Sequence, residues 1–515
     1  MVAQRHSRGI HWPALLAVGA FAVLALLFTS WDSYLYDLWQ HHDVIWFYAC
    51  GKAWMNGLTP YVDFADSKGP LLWLIYGIGY LLSSSDYVGC YWISCILYTI
   101  IFYQCYKCAL IFTRDTRLAL AAVILSALFF LSTATHIEVR TEDYCYPFML
   151  PLFYRFLRHT INHERNGQLA KQSAMLLGLA LGGTLLIKYS CTLMMGIFIP
   201  YFCFIVPRRC HYPVIKAIGW SALAFLLTLA PMLLLLAAQG CLGAFINEYF
   251  LVTANTFDNL HGSAITPGYI LSLIMGKRLL IYLVAIVLGM VIYLVQVSTD
   301  RAFALVALVW FLAVVLLNGT DNIYFNVLSL FTVLFAGIIV QLLGRWLHYP
   351  IVIVTMGVAV LGSLFLMTDR ISLFNRSTAE QTAWYYYAGL MSQYQAPRTL
   401  YLGCHDHGEG VPSGALPACK YWSLQMGYTP QMEADQLKAI NSGLCDVVFV
   451  MSDNDKMKQL VKSKGFHPYD FTDLGVGDPM LPHYLMYSSR PLDTSSLKVP
   501  TSRDILLKRN ICRRN

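Results

Sequence analysis

Asp43, Asp63, Asp66 and Lys68 fall within one stretch after the first strongly apolar segment, the last of them directly before Gly69-Pro70. A carboxylate within hydrogen-bond reach of a hydroxyl acts as a general base when its pKa suits the pH. A lysine beside a turn can meet a phosphate, whether on a lipid headgroup or on a leaving group. The same residues have structural uses: Asp43 at a helix start complements the helix dipole, and Lys68 can snorkel to lipid phosphates. Glu142 and Asp143, in "RTEDY", read either as a solvated loop or as a second catalytic or acceptor-binding pair. Arg140, Lys188 and the pair Lys277-Arg278 sit at ends of apolar segments, where phosphate binding and snorkelling are both open. His136 and His261 read as loop residues. "HDHGEG" (405–410) has metal-ligand residue types without the spacing of a folded metal site.

The elements that must position these residues are membrane helices. The chain has 515 residues, 57% of them hydrophobic and 13% charged, with a mean hydropathy of +0.53. Those values exclude a soluble domain with a polar shell. The net charge of +7 comes from short basic clusters between apolar segments, which argues for membrane orientation rather than nucleic-acid binding. Apolar segments lie near 13–30, 88–110, 118–135, 145–157, 172–187, 190–206, 217–238, 279–297, 302–317, 323–342 and 349–367. At about 20 residues per crossing they predict about eleven spans, several of them short. The N-terminus is basic but lacks a cleavage pattern, so the first segment is expected to be retained as a span.

Pro70–Leu82 is apolar but too short for a full crossing and reads as an interfacial or re-entrant helix. If it does not cross, the N-terminus, "TRDTR", "RFLRHTINHER", "PRRCHYPVIK", "STDR" and "GRWLH" all become cytoplasmic, as the positive-inside rule demands. If it crosses, most of that arginine faces outward. The non-crossing arrangement places residues 31–87, the loop holding Glu142 and everything after the last span on the external side. Asp43, Asp63, Asp66, Lys68, Glu142 and Asp143 then share that side.

Composition shifts near residue 368. "RTLYLGC", "DVVFVMS" and "HYLMYSS" read as strands, and "EADQLKAIN" and "DNDKMKQLVKSKG" as helices. Their order predicts a small, mostly parallel α/β sheet. The expected fold is therefore an all-α polytopic membrane part, 1–367, with interfacial helices in the first external loop, and a small extracytoplasmic α/β domain, 368–515. Of 14 cysteines, Cys404, Cys419, Cys445 and Cys512 belong to this polar region and can pair only outside the cytoplasm.

The order Asp43, "WFYACGKAWMNG", "TPYVDF", "DSKGPLLW" and then, two spans later, "EVRTEDY" resembles the GT-C-type membrane glycosyltransferases. It is similar in particular to the bacterial branch related to protein O-mannosyltransferases and the lipid A aminoarabinose transferase. The likeness covers roughly the first 190 residues, and the ordered motifs are more specific together than singly. It implies that Asp43 is the essential first-loop aspartate, that Glu142 with Asp143 beside it is the second acidic site, and that Lys68 contacts the lipid phosphate. Many relatives carry an acidic pair at the first position, whereas Asp43 is followed by Val44; that puts a bound divalent metal in doubt, since hard cations need several oxygen ligands.

The implied reaction moves a sugar from a polyprenyl-phosphate donor to an acceptor hydroxyl, and lipid A, another glycan and a protein all qualify as the acceptor. Asp43 would be the base, and Lys68, Lys188, Lys277, Arg278 and Arg140 would balance the donor phosphate, with Asp63 and Asp66 supporting the loop. In-line attack would invert the anomeric centre. The expected setting is a bacterial inner membrane with the site facing the periplasm or exterior, among membrane lipids and with no nucleic-acid partner. A lipid or glycan transporter or flippase is the alternative. Such proteins place charges at the midplane and often repeat their halves; here the charges cluster in external loops and no repeat is visible. An envelope-assembly protein would need only an anchor, far fewer spans than the sequence offers.

Overall fold

The computed structural model describes residues 10–35, 42–132, 141–161, 165–253, 277–296, 305–306, 308–310, 312, 329–346, 351–366, 383–423, 429–471, 484–495 and 497. Contacts divide the chain into two compact units, one of residues 1–29, 94–229 and 265–371, the other of residues 30–93, 230–264 and 372–515.

The helices of the apolar part are α1 (Trp12–Thr29), α2 (His42–Met55), α3 (Pro70–Leu82), α4 (Val88–Thr113), α5 (Thr116–Phe130), α6 (Thr141–Ile161), α7 (Gly167–Leu185) and α8 (Tyr189–Gly196). There follow α9 (Phe198–Arg209), α10 (Val214–Ala238) and α11 (Leu242–Val252), then α12 (Lys277–Gln296), α13 (Ser329–Trp346) and α14 (Ile351–Leu366). Among the described residues, α1, α4 and α10 are long and apolar enough to cross a membrane, and α8 with α9, bent by 45°, forms a fourth crossing if the pair is one span. The expected segments coincide with helices from α1 through α14, except 302–317, most of which lies outside the described residues. Length and composition thus support several spans without fixing the number at eleven.

In the first unit α5 packs against α13 and α14, α12 against α13, and α6 against α7, which in turn meets α8. Helices this apolar gain nothing from water exclusion inside a bilayer, so close packing of small residues must hold them. Gly178 on α7 shows it: a Cβ there would stand 2.1 Å from the Ser221 carbonyl oxygen of α10.

The second unit is built on α2 and α3, which press together at glycine. A Cβ on Gly51 would lie 2.4 Å from the Gly77 backbone nitrogen. Pro70 fits the first turn of α3 because the N–H it lacks would be unpaired there anyway. At 1.5 Å per residue α3 is about 20 Å long, short of a hydrocarbon core of about 30 Å. Tyr61 packs against Trp73 of α3 at 4.5 Å with its ring tilted and edge-on against Phe245 of α11 at 5.2 Å, joining three separated stretches of chain.

The remainder of this unit is an α/β fold: α15 (Ala383–Met391), β1 (Arg398–Leu402), β2 (Leu416–Pro417), α16 (Pro430–Asn441), β3 (Val447–Met451), α17 (Asp455–Ser463), β4 (His467–Tyr469) and β5 (Tyr484–Ser488). The strands form one sheet in the order β2-β1-β3-β5-β4. β1 runs parallel to β2 and β3, but β5 is antiparallel to both β3 and β4. The sheet is therefore evenly mixed, not mostly parallel. Residues 403–415 make the crossover between the parallel β1 and β2, and α16 lies in the one that leads to β3, whereas β5 follows β4 in the reversed direction. The region expected as a separate domain shares its compact unit with residues 30–93 and 230–264. Among the described residues the cysteines are thiols outside any disulfide.

Candidate active site

In the second unit Asp43 lies in the first turn of α2, half-buried. Phe47 is one turn further on and shares its helix face. The Lys68 ammonium stands 5.7 Å from the Phe47 ring centroid, so the cation lies over the face of α2 that Asp43 begins. Lys68 is held locally: its Nζ donates to Ser67 Oγ at 3.1 Å and lies 4.0 Å from Asp66 Oδ2. The loop before it is bent by Tyr61, whose φ of 63° is left-handed, and the Tyr61 hydroxyl donates to the Lys68 carbonyl at 2.9 Å. Asp66 Oδ1 accepts from the Ser67 N–H at 2.6 Å, and Asp63 Oδ2 from the Thr59 N–H at 2.7 Å. Both aspartates are thus tied inside the loop.

In the first unit Glu142 and Asp143 occupy the first turn of α6 and are buried, at 1% and 0% exposure. Carboxylates there face the positive end of the helix dipole. Neither is a solvated loop residue. Glu142 Oε1 forms an ion pair with Lys188 Nζ, and Asp143 Oδ2 accepts from the Tyr98 hydroxyl of α4 at 3.1 Å. Lys188 reaches Glu142 because the chain breaks there: its N–H closes α7 on Thr184 at 2.7 Å, and its extended backbone opens α8. Pro147 has no N–H to give to the Asp143 carbonyl one turn before it, which leaves that end of α6 less tightly bonded. The structure therefore brings a proposed acid and a proposed phosphate-binding cation into one pair. Lys277 and Arg278 open α12, and their side chains lie outside the described residues, as do Arg140, His136 and His261.

Other charged groups were not legible in the sequence. Glu248 on α11 is buried and accepts from Lys420 Nζ at 2.5 Å and from the Tyr421 hydroxyl at 2.9 Å. Lys52, at the far end of α2 from Asp43, is buried, and it borders a water-sized cavity of about 10 Å³ together with Asp406. Burial lowers the Lys52 ammonium to about 8, with the Asp406 charge opposing. Trp46 of α2 stacks on Trp422 at 4.4 Å beside them. Their partners follow in sequence by hundreds of residues, and no local pattern signals them.

Within "HDHGEG", Asp406, His407 and Glu409 are buried. Glu409 Oε2 accepts from Tyr401 at 3.2 Å and Oε1 from the Tyr484 hydroxyl. Burial pushes its carboxyl up to about 8, against the Tyr484 hydrogen bond and with help from the Asp406 charge. His407 stacks on Tyr484 at 4.7 Å. The motif is a packed polar core. Among the described residues no three His, Cys, Asp or Glu side chains are grouped to hold a metal ion.

Residues 67–234 match the family model of dolichyl-phosphate-mannose-protein mannosyltransferases, a segment that holds Lys68, Glu142, Asp143 and Lys188 but begins after Asp43. ArnT from Cupriavidus metallidurans bound to undecaprenyl phosphate is similar in structure, with a TM-score of 0.57 at 12% identity, over 94% of this chain and 99% of that one. The chain shares the fold of that structure. ArnT from Cupriavidus metallidurans in the apo state is similar over 95% of this chain and 99% of that one, again with a TM-score of 0.57 at 12% identity. The Archaeoglobus fulgidus oligosaccharyltransferase in complex with zinc and sulfate scores 0.49 at 13% identity, over 92% and 72% of the two chains. No curated protein sequence matches the chain.

Proposed function

We propose that this chain is an integral-membrane glycosyltransferase that moves a sugar from a polyprenyl-phosphate donor to an acceptor hydroxyl on the extracytoplasmic side, with inversion at the anomeric carbon. The observation that carries the reading is the Lys68 ammonium held over the α2 face that starts at Asp43. The fold shared with ArnT, which binds undecaprenyl phosphate, supports the donor class.

The acceptor oxygen attacks the anomeric carbon as its proton passes to Asp43. The bond to the phosphate oxygen breaks, its electron pair leaves with the polyprenyl phosphate, and Lys68 balances the charge that builds there. Glu142, fixed by Lys188 at the start of α6, is the second acidic group, and Lys277, Arg278 and Arg140 are further phosphate partners. Asp63 and Asp66 hold the loop that presents Lys68. The setting is a bacterial inner membrane, with the site facing the periplasm or exterior.

Purified protein is incubated with polyprenyl-phosphate sugars and turnover is followed. Asp43→Asn is expected to lower kcat by about 100-fold or more, the usual size of a general-base effect. Lys68→Ala is expected to slow release of the phosphate and lower kcat as well. Wild-type turnover in Asp43→Asn would remove the base from the mechanism.

A further inference from the structure

The second unit contains a cavity of about 490 Å³, within the range of small-molecule sites, about 300–1,000 Å³. One wall is the turn after α2, with Asn56, Leu58 and Asp63. The other is the start of β1 at Arg398, the chain after β2 through Lys420, and the α16 face with Asp435 and Lys438. None of these residues except Asp63 has a place in the mechanism above.

The charges on this cavity are arranged unevenly. Lys420 is neutralised by Glu248. Arg398 gives Nη1 to the Pro417 carbonyl at 2.9 Å, a neutral partner, and a guanidinium has five N–H donors. Lys438 is exposed on α16. Among the described residues no carboxylate lies within ion-pair distance of either Arg398 or Lys438. The two acids are differently placed. Asp63 Oδ2 accepts from the Thr59 N–H and Asp435 Oδ2 from the Tyr421 N–H at 3.2 Å, and each carboxylate keeps acceptor capacity for a hydroxyl donor. Leu58 and Val62 add apolar surface.

We propose that this cavity binds an anionic sugar, a uronate or a sugar monophosphate, as a part of the acceptor that lies about 20 Å along α2 from Asp43, away from the reacting hydroxyl. Arg398 and Lys438 take the anion, the two carboxylates and Asn56 take hydroxyls, and the C–H face of the ring lies on Leu58 and Val62. A nucleotide fits poorly, because among the described residues the lining has no aromatic side chain for a base to stack on. The acceptor role rests on the transferase reading; the binding does not.

The test is calorimetric titration of the full-length protein in detergent with glucuronate, glucose 1-phosphate, glucose and inorganic phosphate. Glucuronate or glucose 1-phosphate is expected to bind at least about tenfold more tightly than glucose or inorganic phosphate, a difference of about 1.4 kcal/mol. Which of the two binds identifies the anion as carboxylate or phosphate. Lys438→Glu reverses a charge on an exposed helix face, where folding tolerates it, and is expected to weaken that binding by about tenfold or more. Arg398→Gln is expected to act in the same direction. Glucose or inorganic phosphate binding as well as the anionic sugars, or Lys438→Glu binding like wild type, would overturn the assignment. Binding is read without turnover, so Asp43→Asn tells the two readings apart: it is expected to retain the sugar affinity even where transfer is lost.

Discussion

The Glu142–Lys188 pair separates two roles that one residue can hold. With Glu142 at 1% exposure, Lys188→Met leaves a buried carboxylate without its cation, and breaking such a pair costs about 3–5 kcal/mol. Thermal unfolding in detergent is expected to show that loss, and the double variant Glu142→Gln/Lys188→Met to recover most of it. Turnover, in contrast, is expected to stay low in the double variant if Glu142 takes part in transfer; recovered turnover would assign the pair to stability alone. Asp43 and Lys68 stand out in the sequence because a helix start, a turn and a proline bracket them within one short stretch. Glu142 was legible as an acid but not as a buried one, since its cation sits at a helix break 46 residues on. Lys52 passed unnoticed because a lysine inside an aromatic helix looks the same in sequence whether it meets water or Asp406.

At the scale of elements, the α2–α3 contact is the most sensitive feature. The atom nearest a Gly51 Cβ is the Gly77 backbone nitrogen, which cannot rotate away as a side chain can. Gly51→Leu is therefore expected to force the two helices apart, lowering the unfolding temperature and abolishing turnover. Gly57→Ala is the control: it has open space around its Cβ and a φ of +87°, so only backbone strain of about 1 kcal/mol is at stake. Similar losses from both variants would mean that the helix contact does not govern the loop. The long elements were legible from apolar length and strand patterning, and β1, β3 and β5 fall where alternation places them. β2 and β4, two and three residues long, carry no such signal, and without β4 the reversal of β5 could not be foreseen.

At the scale of the whole molecule, two buried groups act on stability in opposite directions as pH rises. Glu409 titrates near 8 when folded, above the usual carboxylate value of about 4.3. The folded state therefore holds the extra proton, and its stabilisation is full below about pH 4.3 and lost as pH rises to about 8. Lys52 is lowered to about 8 from an ordinary value of about 10.4. The unfolded state holds that extra proton, so stability returns as pH rises from about 8 to about 10.4. Unfolding temperature is expected to pass through a minimum near pH 8, with Glu409→Gln flattening the acidic limb and Lys52→Met the alkaline one. A monotonic profile in the wild type would refute this balance. A cysteine placed at Asp63 tests orientation: an impermeant thiol reagent is expected to label it from outside the cell's inner barrier, and labelling from the cytoplasm alone would reverse the topology. Composition revealed the polar region after residue 368, but composition carries no record of contact, and the pairing of that region with residues 30–93 had to come from the folded chain.

The burial of Trp46 and Lys52 against Trp422 and Asp406 bears on biosynthesis. A ribosome delivers α2 long before it delivers the residues that cover it. Until then the tryptophan is wet and the ammonium hydrated, so a nascent or prematurely terminated chain presents an unfinished first loop to the envelope. Completion of the α2 face thus waits for the last part of the polypeptide, and fragments ending before it should accumulate as membrane proteins with that face uncovered.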